Sequence, residues 1–190
     1  MIYKQNITLL LIIVLLNNIL SASPIKTLND IYMQLNIPIE QVEDSIIIES
    51  KKLVSIGINP LGRENFLSEK CALAWHEMKQ DATKDSVFIS VLSGFRSHNK
   101  QYSIIKNKLN KGMTLNNILK ENKLPGLSHH HSGNAIDIIS NSYKLSLEFE
   151  KSLAYLWLVE NAYKYGFYLQ YPKNNKSEIM FEPWHWYFKE

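Results

Sequence analysis

The stretch Ser128-His129-His130-His131-Ser132-Gly133-Asn134-Ala135-Ile136-Asp137 holds three of the chain's six histidines and runs directly into an aspartate. Gly133 breaks the backbone after the histidines. Ala135 to Ile139 then alternates as a strand, with Ala135, Asp137 and Ile139 on one face. A catalytic zinc takes three protein ligands from His, Asp or Glu and keeps a fourth position for water. The cluster supplies part of such a set, so the remaining ligand must come from elsewhere in the chain.

A second stretch, Phe181-Glu182-Pro183-Trp184-His185-Trp186-Tyr187, offers both a histidine and a carboxylate. Pro183 cannot donate a ladder hydrogen bond, so a strand here must bend or lie at an edge. A bend would bring Glu182 and His185 to one site, whereas a flat strand would point them to opposite faces. Each piece alone has a plainer reading. A histidine trio is more often an exposed patch, a strand aspartate a turn acceptor, and a histidine between tryptophans a packed core residue. Their co-occurrence around glycine and proline breaks, with a glutamate to spare, favours a mononuclear zinc hydrolase whose substrate stays open.

The 190 residues suit one domain with an N-terminal extension, and 45% hydrophobic content is enough for a real core. Twenty-one basic against 18 acidic side chains give a formal charge of +3. With no dense Lys/Arg block, that balance argues against nucleic acid as a partner. The single cysteine, Cys71, excludes an internal disulfide and a Cys-rich zinc site, and it falls in an apolar helical stripe. Lys4, the apolar run Ile7 to Leu16 and the small-residue exit Ser21-Ala22-Ser23 read as a secretory signal peptide over residues 1–23. The run is about half of the roughly 20 residues that a membrane span needs. The alternative is an uncleaved anchor, and membrane contact is expected only in that case. Both readings export the working domain to the periplasm or cell envelope. Nothing demands more than a monomer.

Residues 24–62 are weakly patterned apart from a strand at Leu53 to Ile56, ended by Asn59-Pro60 and Gly62. Helical spacing predicts helices over Leu67 to Ala82, Asn99 to Asn110 and Leu147 to Tyr165, the last stopped by Gly166. Thr114 caps a short helix through Asn122. Val87 to Leu92, Tyr168 to Tyr171 and Ile179 to Phe188 read as strands, the last two joined by the polar loop Lys173 to Glu178. Helices and strands mix without regular βαβ alternation. That predicts an α+β fold with a central antiparallel sheet and flanking helices.

Three ordered segments carry a family resemblance. Ser128-x-His130-x-x-Gly133-x-Ala135-x-Asp137 resembles the SxHxxGxAxD signature of the LAS metallopeptidases. Glu182-Pro183-Trp184-His185 resembles their ExxH element, and Ser93-Gly94-Phe95-Arg96-Ser97 with Gln101 resembles their SGYRS…Q segment. Within that group the likeness is greatest to VanY-type D-alanyl-D-alanine carboxypeptidases, and it runs from about Leu67 onward. The resemblance implies a Hedgehog/D,D-peptidase-like catalytic domain over residues 63–190 with one Zn2+ per chain. It makes His130, Asp137 and His185 the ligands and Glu182 the general base. Arg96 becomes a catalytic group that also binds the substrate carboxylate or the developing oxyanion, and Gln101 and Ser128 help to bind substrate. His129 stands where close relatives usually carry glutamate, His131 matches a frequent non-ligand histidine, and Asn134 replaces a common arginine. The implied reaction is removal of the C-terminal D-alanine from peptidoglycan stem peptides. Alternatives on the same fold are an L,D-carboxypeptidase, a cross-link endopeptidase and a non-catalytic cell-wall binding module.

Overall fold

Five consecutive residues, Ala135–Ile139, are buried on both faces of the strand they form, and the molecule is arranged around it. The computed structural model describes residues 26–141, 144–177 and 179–189; the expected signal peptide lies outside the described residues. In chain order the elements are α1 (Leu28–Leu35), β1 (Leu53–Ile58), β2 (Glu64–Ser68), α2 (Glu69–Lys84), β3 (Ser90–Ser93) and α3 (His98–Asn110). They continue with α4 (Leu115–Leu119), β4 (Ala135–Ile139), α5 (Leu153–Asn161), β5 (Phe167–Leu169) and β6 (His185–Phe188). The strands β3-β4-β6-β5 form one antiparallel sheet, and β1 pairs with β2 in a separate hairpin. This is the α+β architecture that the mixed pattern predicts.

The alternation of β4 and β6 divides the sheet. Ile136 and Ile138 join Trp186 and Phe188 in the main apolar cluster, with Leu67, Cys71, Trp75 and Met78 from β2 and α2. Fully burying a side chain of this size stabilises the fold by about 1.5–3 kcal/mol. The other residues of β4, including Asp137, share a face with His185 and Tyr187, their cross-strand neighbours. A second cluster joins Ile31, Tyr32 and Leu35 of α1 to Tyr102 and Ile105 of α3 and Ile118 of α4.

Several elements differ from the sequence reading for local reasons. The helix expected from Leu67 starts at Glu69, because Asn65 and Leu67 are the buried positions of β2. The strand expected at Val87 begins at Ser90. Ser86 takes a left-handed backbone (φ 60°), and the Val87 and Ser86 N–H groups close α2 on the Ala82 and Thr83 carbonyls. The helix expected over Leu147 to Tyr165 is broken at Ser152. That residue is extended and its side chain caps α5 by accepting from the Tyr155 N–H. The strand expected over Ile179 to Phe188 keeps only His185–Phe188. Residues 26–62 hold an unforeseen helix, α1, whose Thr27 and Asp30 form a reciprocal capping box.

Glycines mark where segments touch. Gly133 has φ 75°, and a Cβ there would lie 2.8 Å from the Ser68 N–H nitrogen, which donates to the Gly133 carbonyl. Gly57 has φ 90° with no atom within 4 Å of such a Cβ. Gly57→Ala is therefore expected to cost about 1–2 kcal/mol, the conformational penalty alone. Gly133→Ala should cost at least about 1 kcal/mol more, as urea unfolding of the two variants would measure. Equal losses would mean that the β2 contact at Gly133 yields without cost.

Candidate metal centre

Antiparallel register places Asp137 directly opposite His185. His185 is the first residue of β6 and follows a turn closed by its own N–H on the Glu182 carbonyl at 3.1 Å. Pro183 sits inside this turn, where no ladder bond is lost. The turn also brings the Glu182 carboxylate to 3.9 Å from His185 Nδ1. His130 arrives from a 3-10 turn, His129–Ser132, whose exit is Gly133.

His130 Nε2 lies 3.3 Å from Asp137 Oδ2, and His185 Nδ1 lies 2.9 Å from Asp137 Oδ1. One nitrogen or oxygen from each of the three residues falls within 4.8 Å of the others, and all three residues are buried. The His130 Nδ1 sits 2.7 Å from the Gly94 carbonyl, which can only accept, so Nδ1 carries the proton. Nε2 then presents a lone pair to the Asp137 carboxylate. Burial lowers the His130 imidazole to about 4, leaving it neutral at physiological pH. Burial alone would raise Asp137, but the His130 and His185 imidazoles outweigh it and hold this carboxyl well below the usual range. Two acceptors facing each other in a dry site are unfavourable unless a proton or a metal ion lies between them. His185 Nε2, buried without a hydrogen-bond partner among the described residues, leaves that ring uncommitted at one nitrogen. A His-Asp-His donor set suits zinc, so the residues present fit the group.

Burial, reinforced by Asp137, pushes the Glu182 carboxyl up to about 8. A cation held by the neighbouring triad would draw it back towards neutrality. Its place beside the triad suits it to accept a proton there. Arg96 is engaged on several sides. Its Nη2 lies 3.3 Å from Asp137 Oδ2 and 3.2 Å from Ser93 Oγ, and its Nη1 donates to Gln101 Oε1 at 2.7 Å. Gln101, 1% exposed, passes the chain on by donating from Nε2 to the Lys123 carbonyl at 2.6 Å. Ser128 is buried in the wall of the same cleft.

The other two histidines of the cluster point elsewhere. His131 Nδ1 donates to the Arg96 carbonyl at 2.5 Å, and its Nε2 accepts from the Gly126 N–H at 3.1 Å. It latches the arginine loop to the Pro125-Gly126 turn. His129 packs its ring on Tyr187. The N-terminal extension braces this loop. Tyr32 Oη donates to the Pro125 carbonyl, Ile47 N–H to Gly126 and Ser50 N–H to His131, at 2.9, 2.7 and 2.8 Å.

The cleft over the triad has a volume of about 640 Å³, ordinary for a site that encloses a small ligand. Leu145, Leu147, Ile179, Met180 and Phe181 supply apolar lining, and Lys108, Lys123 and Tyr171 are among the polar residues that also face it. The lysines escaped the sequence reading because no motif marks them, and Tyr171 entered it only as the end of a strand.

Residues 64–190 match the family described as VanY, D-alanyl-D-alanine carboxypeptidase. A D-alanyl-D-alanine carboxypeptidase of Enterococcus faecium is 33% identical over 152 residues, covering 77% of this chain and 45% of that protein. The chain therefore spans less than half of that relative's length. Among solved structures, the LdcB LD-carboxypeptidase aligns with a TM-score of 0.66 at 29% identity, covering 74% of this chain and 69% of that one. The vancomycin resistance D,D-pentapeptidase VanY from a VanB-type cassette, in complex with Zn(II), shares the fold. It aligns with a TM-score of 0.56 at 24% identity over 76% of this chain and 87% of that one.

Adding zinc to metal-free protein is expected to raise the melting temperature by several degrees, since saturation at 100 times Kd stabilises by about 2.7 kcal/mol. His130→Ala and His185→Ala should abolish the rise. An undiminished rise in both variants would place the ion elsewhere.

Proposed function

Because the chain belongs to the VanY D-alanyl-D-alanine carboxypeptidase family, we propose that it is a zinc-dependent hydrolase removing the C-terminal D-alanine from peptidoglycan stem peptides. The observation that carries this reading is Glu182, a carboxylate beside the His130-Asp137-His185 triad that is not needed as a ligand. One zinc per chain, held by these three residues, would supply a Lewis acid that polarises the scissile carbonyl and acidifies water.

The chain's own groups do the rest. Glu182 takes a proton from the attacking water as the water oxygen bonds to the carbonyl carbon. It then delivers that proton to the amine nitrogen as the C–N bond breaks. Its burial excludes bulk water, which would otherwise compete for the proton. Arg96, fixed by Gln101, Ser93 and Asp137, keeps Nε–H as a donor for the developing oxyanion. Gly94 fixes the His130 tautomer through its carbonyl. Ser128 and Gln101 line the channel in which the peptide lies.

Such a substrate places the enzyme in the cell envelope. No helix among the described residues is long and apolar enough to cross a membrane. The likeness to LdcB favours a second reading, L,D-carboxypeptidase action on tetrapeptide stems by the same residues. A purely structural zinc would leave Glu182 without a task, which argues against a silent binding module.

Mass spectrometry of zinc-loaded protein incubated with pentapeptide and tetrapeptide muropeptides tests the reading. Loss of one alanine from the pentapeptide is expected. Loss from the tetrapeptide alone would assign the L,D reaction, and loss from neither would remove the carboxypeptidase reading. Glu182→Gln should keep its zinc while turnover falls by about 10²–10⁴. Arg96→Ala should also keep zinc and lose about 10²-fold or more in kcat; normal turnover in that variant would exclude Arg96 from the site.

A further inference from the structure

A carboxypeptidase must read a free terminal carboxylate, and the cleft offers three cations among its described lining residues: Arg96, Lys108 and Lys123. Arg96 holds Asp137, Gln101 and Ser93, and the donor it keeps free is the one assigned to the oxyanion. Lys108 is committed to Glu121, its Nζ 2.9 Å from Oε2. Lys123 is half-buried, and its ammonium has no carboxylate partner among the described residues. An ammonium at the cleft without a counter-charge is open to an anionic ligand.

Its place in the fold suits that anion. In a terminal residue the scissile carbon and the carboxylate carbon are only three bonds apart, less than about 4.5 Å. The receptor must therefore stand close to the groups that hold the scissile carbonyl. A continuous string of contacts leads there, from Asp137 to Arg96 at 3.3 Å, from Arg96 to Gln101 at 2.7 Å and from Gln101 to the Lys123 carbonyl at 2.6 Å. The backbone of Lys123 is thus anchored to the triad, while its four-carbon stem lets the ammonium follow the ligand.

We propose that Lys123 is the carboxylate receptor of this site and the residue that confines hydrolysis to the last peptide bond. The assignment rests on the carboxypeptidase reading and deepens it. An internal peptide bond offers no anion at this position, so Lys123 would then stay unpaired and disfavour an endopeptidase pose.

Calorimetric titration of zinc-loaded Glu182→Gln protein, in which turnover is suppressed, tests this. The ligands are N-acetylated stem pentapeptide and tetrapeptide, each as the free acid and as the C-terminal amide. The acid of the preferred stem should bind at least about tenfold more tightly than its amide. Adding Lys123→Met should erase that preference without changing amide affinity, and Lys123→Arg should retain most of it. A preference that survives Lys123→Met, equal loss of acid and amide binding, or no preference or binding in the parent protein would overturn the assignment. Alanine release by the wild-type enzyme is scored separately: its failure removes the carboxypeptidase reading, whereas the acid-to-amide ratio judges Lys123.

Discussion

The Asp137 carboxylate, buried on the central strand, is the group that the rest of the site must satisfy. Taking a carboxylate out of water costs several kcal/mol unless charges and donors surround it. Here Arg96 from the loop before α3 and His185 from β6 supply them, whereas His130 from the 3-10 turn faces the carboxylate with a lone pair that a metal ion would share. Glu182 experiences the opposite environment. Burial and the Asp137 charge both favour its protonated form. Two carboxyls in one cleft are thus driven apart in proton affinity, the arrangement that separates a metal-holding role from a proton-carrying one.

Bracing extends outward from this centre. His131 is buried and spends both ring nitrogens on backbone groups, Arg96 on one side and Gly126 on the other. His98 stacks edge-on against it and reaches back from α3 to the Ile47 carbonyl through Nε2, at 2.9 Å. The segment around Ile47 to Ser50 is therefore an integral wall of the histidine loop. Holding Arg96 and the histidine turn through such outer contacts is what keeps a site at working geometry.

The central features were legible because they are local. A glycine-terminated histidine turn running into a strand aspartate is written in ten consecutive residues. The proline turn between Glu182 and His185 needs only the missing N–H of Pro183. The fold class followed from the irregular mixture of helical and strand periods. Boundaries failed where one residue fitted two patterns. Leu67 is in phase with the stripe of α2 yet belongs to β2, and Val87 has the composition of a strand but finishes a helix. The capping box of α1 is written in Thr27 and Asp30, but the eight residues of the helix are too few to show a clear helical period. Lys123 could not be found at all, since its interest lies in what its neighbours leave unpaired.

The pairing of β4 with β6 also has a temporal side. Asp137 and His185 are 48 residues apart in the chain, and His185 owes its position to that pairing. Closing so long a loop is entropically costly and belongs to the slower, non-local part of folding. A chain emerging residue by residue presents His130 and Asp137 well before the last donor exists. On the proposed reading, tight capture of a metal ion would wait for completion of the sheet, and hydrolytic competence would arrive only with the finished fold.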